Sequence, residues 1–338
     1  MTPSTAWKED VATDDDARYA AYAARMAAVQ KGRDAKYGDK GRALHRKQLL
    51  AARAVLDVKA GLPAHAAHGL FARAASYDAV VRFSNASMDK ASDRAPDIRG
   101  YAIKVKGVTG TSGFGTPAAT QEFALINREV FGEPRAGAFV DMVEALAGGP
   151  LSLIAHMVKT RGLVGGLKKV AALAASTKAP FSGFANESFF SCAPIACGPY
   201  ACRVKLAPAS TTVNAAAADD WGKDVADRLR AGPLVHELQL QFFVDEKTTP
   251  IEDASVNWPT PYLTVATLTL PQQDLDGDDG RRLAREVEGT TLDPWNCLVE
   301  HRPLGDVMRA RKAIYFASEQ ARGAVFSDAP PTSNSAHS

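Results

Sequence analysis

Alternation with a period of two runs through several stretches of this chain, and it constrains the fold more than any other feature. Tyr200, Cys202, Val204 and Leu206 alternate with Ala201, Arg203 and Lys205, and Leu238, Leu240 and Phe242 alternate with Gln239 and Gln241. Successive side chains of a strand point to opposite faces, so these segments read as strands with one buried face. Residues 50–58, 79–85, 100–106, 122–127 and 262–270 also have strand character, separated by Gly and Ser/Thr clusters such as 107–120. Seven or eight such strands predict a closed antiparallel barrel, because closure removes exposed edges. Its lumen is expected to take side chains and part of a ligand.

Helical patterns surround the strands. Residues 15–35 are alanine-rich and read as a helix ending near Gly32, and 219–230 reads as another. Residues 41–47 are polar and expected to be extended. The stretch 137–177 is rich in alanine and leucine, broken at Gly148-Gly149-Pro150 and at Gly165-Gly166. It predicts two or three helices, an insertion (137–185) over one end of the barrel. The expectation is an α+β fold in one domain over 15–326, between a disordered N-terminus (1–14) and a disordered tail (327–338) rich in Ser, Pro, Ala and Asn.

With 338 residues, 46% of them hydrophobic, the chain can bury a large core. A net charge of +2 with mixed signs gives no case for nucleic acid or an anionic membrane as partner. No apolar run reaches the length of a membrane span, and the N-terminus lacks the apolar core of a secretory signal, so a cytoplasmic location is expected. Cys192, Cys197 and Cys202 match no common zinc or haem-attachment spacing. With Cys297 they read as small buried residues, a disulfide within the 192–202 cluster remaining open.

Residues 303–322 read as a helix stopped by Gly323. At about 100° per residue, Arg311, Tyr315 and Arg322 fall within roughly 40° of one another, on a face shared with Leu304, Met308 and Ser318. A guanidinium is rarely buried without an anionic partner, so something negative belongs on this face. Arg82 poses the same demand, since Val80, Val81 and Phe83 place it in a largely buried strand.

Several blocks occur in order along the chain. They are Arg42-Ala43-Leu44-His45, Val81-Arg82-Phe83-Ser84, Asp97-Ile98-Arg99-Gly100-Tyr101-Ala102-Ile103-Lys104, Trp295-Asn296, His301-Arg302-Pro303-Leu304-Gly305, and Arg311 with Tyr315 and Arg322. The series resembles the haem catalases, and most closely their small catalase-related peroxidase relatives. The resemblance covers about 42–322 and is faint over 137–185. It implies an eight-stranded catalase-type β-barrel binding haem b, with Tyr315 as the iron ligand beside Arg311. It also implies that Arg42, Arg82 and Arg322 hold the haem propionates. His45 is implied as the distal base, with Ser84 fixing its tautomer; an imidazole near its ordinary pKa suits proton transfer at neutral pH. Of the other histidines, His301 reads as structural, His65 and His68 as loop residues, His156 as part of the insertion, His236 as a strand start, and His337 as part of the tail.

The implied activity is peroxide consumption on tyrosinate-ligated haem, with hydrogen peroxide or an organic hydroperoxide as substrate and an organic electron donor. A homodimer is compatible with it. Lipid hydroperoxide isomerisation or cleavage, and haem or lipid binding without turnover, stand as alternatives. One departure bears on the activity. Full-size catalases carry a distal asparagine that orients the second peroxide, and its position is expected at Ala119 or Thr120, with Asn127 too late to replace it. On that basis peroxidase turnover should exceed catalase turnover.

Overall fold

The computed structural model describes residues 1–178, 180–211 and 220–325; the tail expected to be disordered lies outside them. The strands are β1 (Gln48–Val58), β2 (Ala75–Asn85), β3 (Arg99–Lys106), β4 (Thr120–Ile126), β5 (Phe189–Phe190), β6 (Ile195–Cys197), β7 (Tyr200–Pro208), β8 (Leu234–Phe242) and β9 (Tyr262–Leu270). They form one sheet in the order β5-β4-β3-β2-β1-β9-β8-β7-β6, and β5 also pairs with β7. That extra pairing closes eight strands into an antiparallel ring and leaves β6 outside it. The predicted α+β barrel is therefore observed.

The period of two sorts side chains between lumen and outer wall. Leu56, Val81, Phe83, Tyr101, Ile103, Val105, Phe123, Leu125, Val204, Leu206, Leu238, Leu240 and Leu268 share one buried cluster. Phe83 meets Tyr101 edge-on at 4.6 Å between ring centroids and Phe184 at 4.7 Å, and Phe184 stacks on Phe189 at 5.5 Å. A helix, α4 (Trp221–Ala231), adds Trp221, Val225 and Leu229 to the same cluster. A bulge beside Leu238 leaves Val265 unmatched in the register, so Val265 and Ala266 both reach the core. The lumen is thus packed with side chains, and the expectation that it holds part of a ligand is not met.

The remaining helices are α1 (Asp15–Tyr37), α2 (Ala136–Ala147), α3 (Pro150–Lys178), α5 (Asp278–Gly289) and α6 (Asp306–Arg322). α1 runs through Gly32 and stops at Gly38, whose φ of 66° suits the left-handed cap. α6 begins later than sequence predicted, after Gly305, and ends at Gly323 as expected. α2 and α3 form the insertion between β4 and β5. α3 breaks at Gly162 rather than at Gly165-Gly166.

The N-terminal residues, expected to be disordered, make specific contacts with the rest of the chain. Trp7 Nε1 donates to the Pro199 carbonyl at 2.8 Å. Glu9 accepts from the Gly305 N–H at 2.9 Å, from Arg302 at 2.7 Å and from Arg309 at 2.9 Å. Burial works against the Glu9 charge, but these three donors outweigh it and hold the carboxyl below its ordinary pKa. The strap fixes the start of α6. All four cysteines are buried and unbridged. Among the described residues no helix is long and apolar enough to cross a membrane.

Candidate active site on the outer wall of the barrel

The outward residues of β2, β3 and β4 stand at matched heights. Ser84 lies opposite Gly100 and Gly100 opposite Ile126; one pleat along, Arg82 lies opposite Ala102 and Ala102 opposite Ala124. Ser84, Gly100, Ala102 and Ala124 are small, so this part of the wall is a floor without protruding side chains. Ala102, Ala124 and Ile126 keep partial exposure on it.

His45 hangs over the Ser84–Gly100 end. Its φ of 52° places it in the left-handed region, shared among the described non-glycine residues only with Cys192. Its N–H donates to the Ala86 carbonyl at 2.9 Å, and its Nδ1 exchanges a hydrogen bond with Ser84 Oγ at 3.0 Å. Gly100 makes that pair possible. A Cβ there would come within 2.6 Å of Ser84 Oγ and closer still to His45 Nδ1. Burial pushes the imidazole down to about 3, helped by the charges of Arg82, Arg311 and Arg42. His45 is therefore neutral at physiological pH, and its value lies well below the near-ordinary one expected from the sequence.

Arg42, Arg82 and Arg322 converge beside it. Arg42 donates to Glu288 Oε1 at 2.7 Å and to the Thr290 carbonyl at 3.2 Å. Arg82 donates to Glu288 Oε2 at 2.9 Å and to the His45 carbonyl at 2.9 Å. Arg322 reaches the carbonyls of Glu288 and Thr290 at 3.0 and 2.7 Å, while its Nε is buried without a partner. Burial, then the neighbouring Arg42, lowers Arg82 to about 9 and Arg322 to about 10, so both remain charged at neutral pH. Three guanidiniums gather around one residue, Glu288, whose single carboxylate leaves an excess of two positive charges. Burial raises the pKa of the neighbouring Glu319 against the charges of Arg322, Arg42 and Lys104, and its Oε1 has no partner. The cluster fits a ligand carrying two carboxylates.

Tyr315 projects from α6 into the same neighbourhood. Burial holds its phenol above the ordinary pKa; Arg311 and Arg42 oppose that, Asp293 and Glu319 reinforce it. Arg311 lies 3.3 Å from the Met308 sulfur and 5.7 Å from the centre of the Phe131 ring. The seven residues singled out in the sequence are thus brought together: His45, Ser84, Arg42 and Arg82 from the β1–β2 side, Arg311, Tyr315 and Arg322 from α6.

Sequence reading missed three partners. Glu288, at the end of α5, ties two of the arginines together. Further along the same outward face, Lys104 Nζ meets Glu122 Oε1 at 3.1 Å and Thr290 Oγ1 at 3.1 Å, both side chains of the pair being buried. Burial raises Glu122 to about 7 against the pull of Lys104 and of the Asp293 N–H. The third is Asn127. Thr120 pairs with Lys106, at the far end of β4 from His45, whereas Ile126 pairs with Gly100. Over that strand the rise is about 20 Å. Asn127 is the next residue, its Oδ1 accepting the Arg99 N–H at 2.7 Å. The asparagine therefore stands at the His45 end and Ala119–Thr120 do not, which reverses the expectation. His301 is structural as expected, with Nε2 accepting the Leu70 N–H at 3.0 Å and Nδ1 facing the Ala196 carbonyl at 3.2 Å.

No family model matches the sequence, and no curated protein matches it. Solved structures do match. A bacterial catalase shares 15% identity over 86% of this chain and 59% of its own, with a TM-score of 0.64. A fungal catalase shares 16% over 86% and 60%, also at 0.64. Catalase A from Saccharomyces cerevisiae shares 15% over 85% and 63%, again at 0.64. This chain spans about three fifths of the length of those catalases. At such low identity the likeness speaks for architecture: the fold of this chain is the catalase fold.

Proposed function

We propose that the chain binds haem against the outer wall of β2–β4 and uses it as a peroxide-consuming oxidoreductase. The observation that carries this is the convergence beside one floor of a neutral imidazole, an excess of positive charge suited to two carboxylates, and a partly buried tyrosine flanked by arginine on α6. The donor set fits the group. Arg42, Arg82 and Arg322 would hold its two carboxylates, and Tyr315 would be the iron ligand, with Arg311 offsetting the phenolate charge against burial. Catalases bind their haem iron through a tyrosine, and the role given to Tyr315 follows that family pattern.

Bound haem supplies the iron at which a peroxide O–O bond is broken. His45 accepts the proton of the nearer peroxide oxygen and returns it to the departing one, so that water leaves. Ser84 holds the ring for both transfers. Asn127 would orient a second peroxide, which would give up two electrons and two protons to become dioxygen; in the peroxidase alternative an organic donor would supply them. Its position removes one ground for ranking peroxidase above catalase turnover, and Asn127→Ala decides the matter. Oxygen evolution should fall more than dye oxidation. Equal losses would show that Asn127 does not distinguish the two.

The reading as a whole is tested by haem titration. Wild-type protein should give a high-spin ferric tyrosinate spectrum, and Tyr315→Phe should lose or replace it. An identical spectrum from the variant would overturn the ligand assignment.

A further inference from the structure

The net charge of +2 conceals one segment that is one-sided in both sign and exposure. From Pro150 to Lys178 the chain carries Lys159, Arg161, Lys168, Lys169 and Lys178 and no acidic residue. It also turns apolar side chains outward: Leu151 is 83%, Leu163 65% and Val164 66% exposed, with Leu167 and Ile154 exposed as well. Helices of globular domains ordinarily bury such a stripe. Here Leu163, Leu167 and Val170 fall on one side of the second half of α3, with Val164 at its border.

The other side is the anchored one. α3 folds at Gly162, where φ is 72° and ψ 168°. Its halves touch closely at Gly166, where a Cβ would meet the Met157 backbone at 2.6 Å. Met157 is buried. Arg161 bonds Glu133 at 2.5 Å, and Lys169 bonds Glu133 at 3.0 Å and the Gly132 carbonyl at 2.6 Å. The nearby carboxylates of α2, Asp141 and Glu144, are both bonded to Arg25. Lys159 and Lys168 are exposed and have no partner among the described residues. The outward face of α3 is thus apolar, and the same segment carries two exposed cations, Lys159 and Lys168, without a carboxylate partner among the described residues.

We propose that α3 docks the protein on the surface of an anionic lipid bilayer. Leucines and valines reach the acyl boundary while Lys159 and Lys168 meet the headgroup charges. The helix lies on the bilayer and does not span it. A second copy of the chain is the weaker occupant, since a two-fold contact sets each patch against itself and brings these lysines toward their own counterparts. The proposal does not depend on haem being bound.

Co-sedimentation of the full chain with phosphatidylcholine vesicles, with and without phosphatidylglycerol, tests it. Binding is expected only with the anionic lipid, and salt should weaken it. Leu163→Asp with Leu167→Asp should lower binding about tenfold or more. Lys159→Glu with Lys168→Glu should do likewise on anionic vesicles. All four positions are exposed, and an unchanged melting temperature confirms that the variants fold. No binding to anionic vesicles, or equal binding by the leucine variant, overturns the proposal. So does a dimer that binds no vesicles and that the leucine variant dissociates, which would assign the face to a second copy.

Discussion

β2, β3 and β4 present two unlike surfaces on one backbone. Toward the lumen, Phe83, Tyr101, Ile103, Phe123 and Leu125 interlock and fill space. Toward the outside, the same strands offer Ser84, Gly100, Ala102 and Ala124, flanked by Arg82, Lys104 and Glu122. Volume is what matters on the inner face, and its absence on the outer one. The difference teaches that the packed lumen sets the height of each outward residue, so a site on the wall inherits its geometry from a core it never touches.

The comparison breaks most forcefully on the inner face. Phe83→Ala should cost about 3–5 kcal/mol of stability in a denaturant titration, with haem uptake per folded molecule retained. Lost uptake at unchanged stability would mean that the two faces do not divide the work. On the outer face, His45→Ala should leave melting temperature and haem content alone and slow peroxide consumption by about 10²-fold or more. Matching stopped-flow rates would place the proton acceptor elsewhere. Gly100→Ala sharpens the contrast, since one methyl group is all it adds. It should cost about 1–3 kcal/mol through overpacking and part His45 from Ser84, with a matching fall in rate. Wild-type behaviour would show that the His45–Ser84 contact tolerates a side chain beneath it.

The smallest effect is one of pH. Burial lowers His236 in the lumen and His301 near the 3-10 turn before α6 to about 4, against an ordinary value near 6.5. Below about 6.5 the unfolded chain takes up protons that the folded one refuses. Stability is therefore full above that value and lost as pH falls toward the folded-state values. His236→Phe should lose less stability between neutral pH and pH 4 than wild type does. Superimposable melting curves across that range would exclude His236 from the acid response.

Much of the fold is legible in the sequence because it is periodic. The strand expected over Tyr262–Leu270 matches the observed one end to end, and the other long strands agree within a few residues. The stripe of Arg311, Tyr315 and Arg322 is readable from helical angle alone. What cannot be read depends on distance along the chain. Nothing near Glu288 marks it as the partner of Arg42 and Arg82, which arrive over two hundred residues earlier. Gly100 is visible as a letter, yet its reason is a contact with His45 and Ser84 that only the sheet creates. Asn127 is misplaced when a stretch of strand is aligned by its residue types, because register decides which end faces His45. β5, two residues long, has no period to detect.

That short strand has a mechanical consequence. β5 holds β4 through the single pair Ile126–Phe190 and holds β7 through Phe189–Leu206 and Phe190–Lys205. Every other seam of the ring is a longer zip. The barrel is a sheet rolled up and fastened by one clasp, and the clasp is where it unfastens at least cost. Amide protons at Ile126 and Phe190 should exchange with solvent before those buried in β2 and β3. Because Asn127 sits one residue beyond the clasp, the breathing of a seam on the far side of the lumen from α5 is felt first at the rim of the proposed peroxide site.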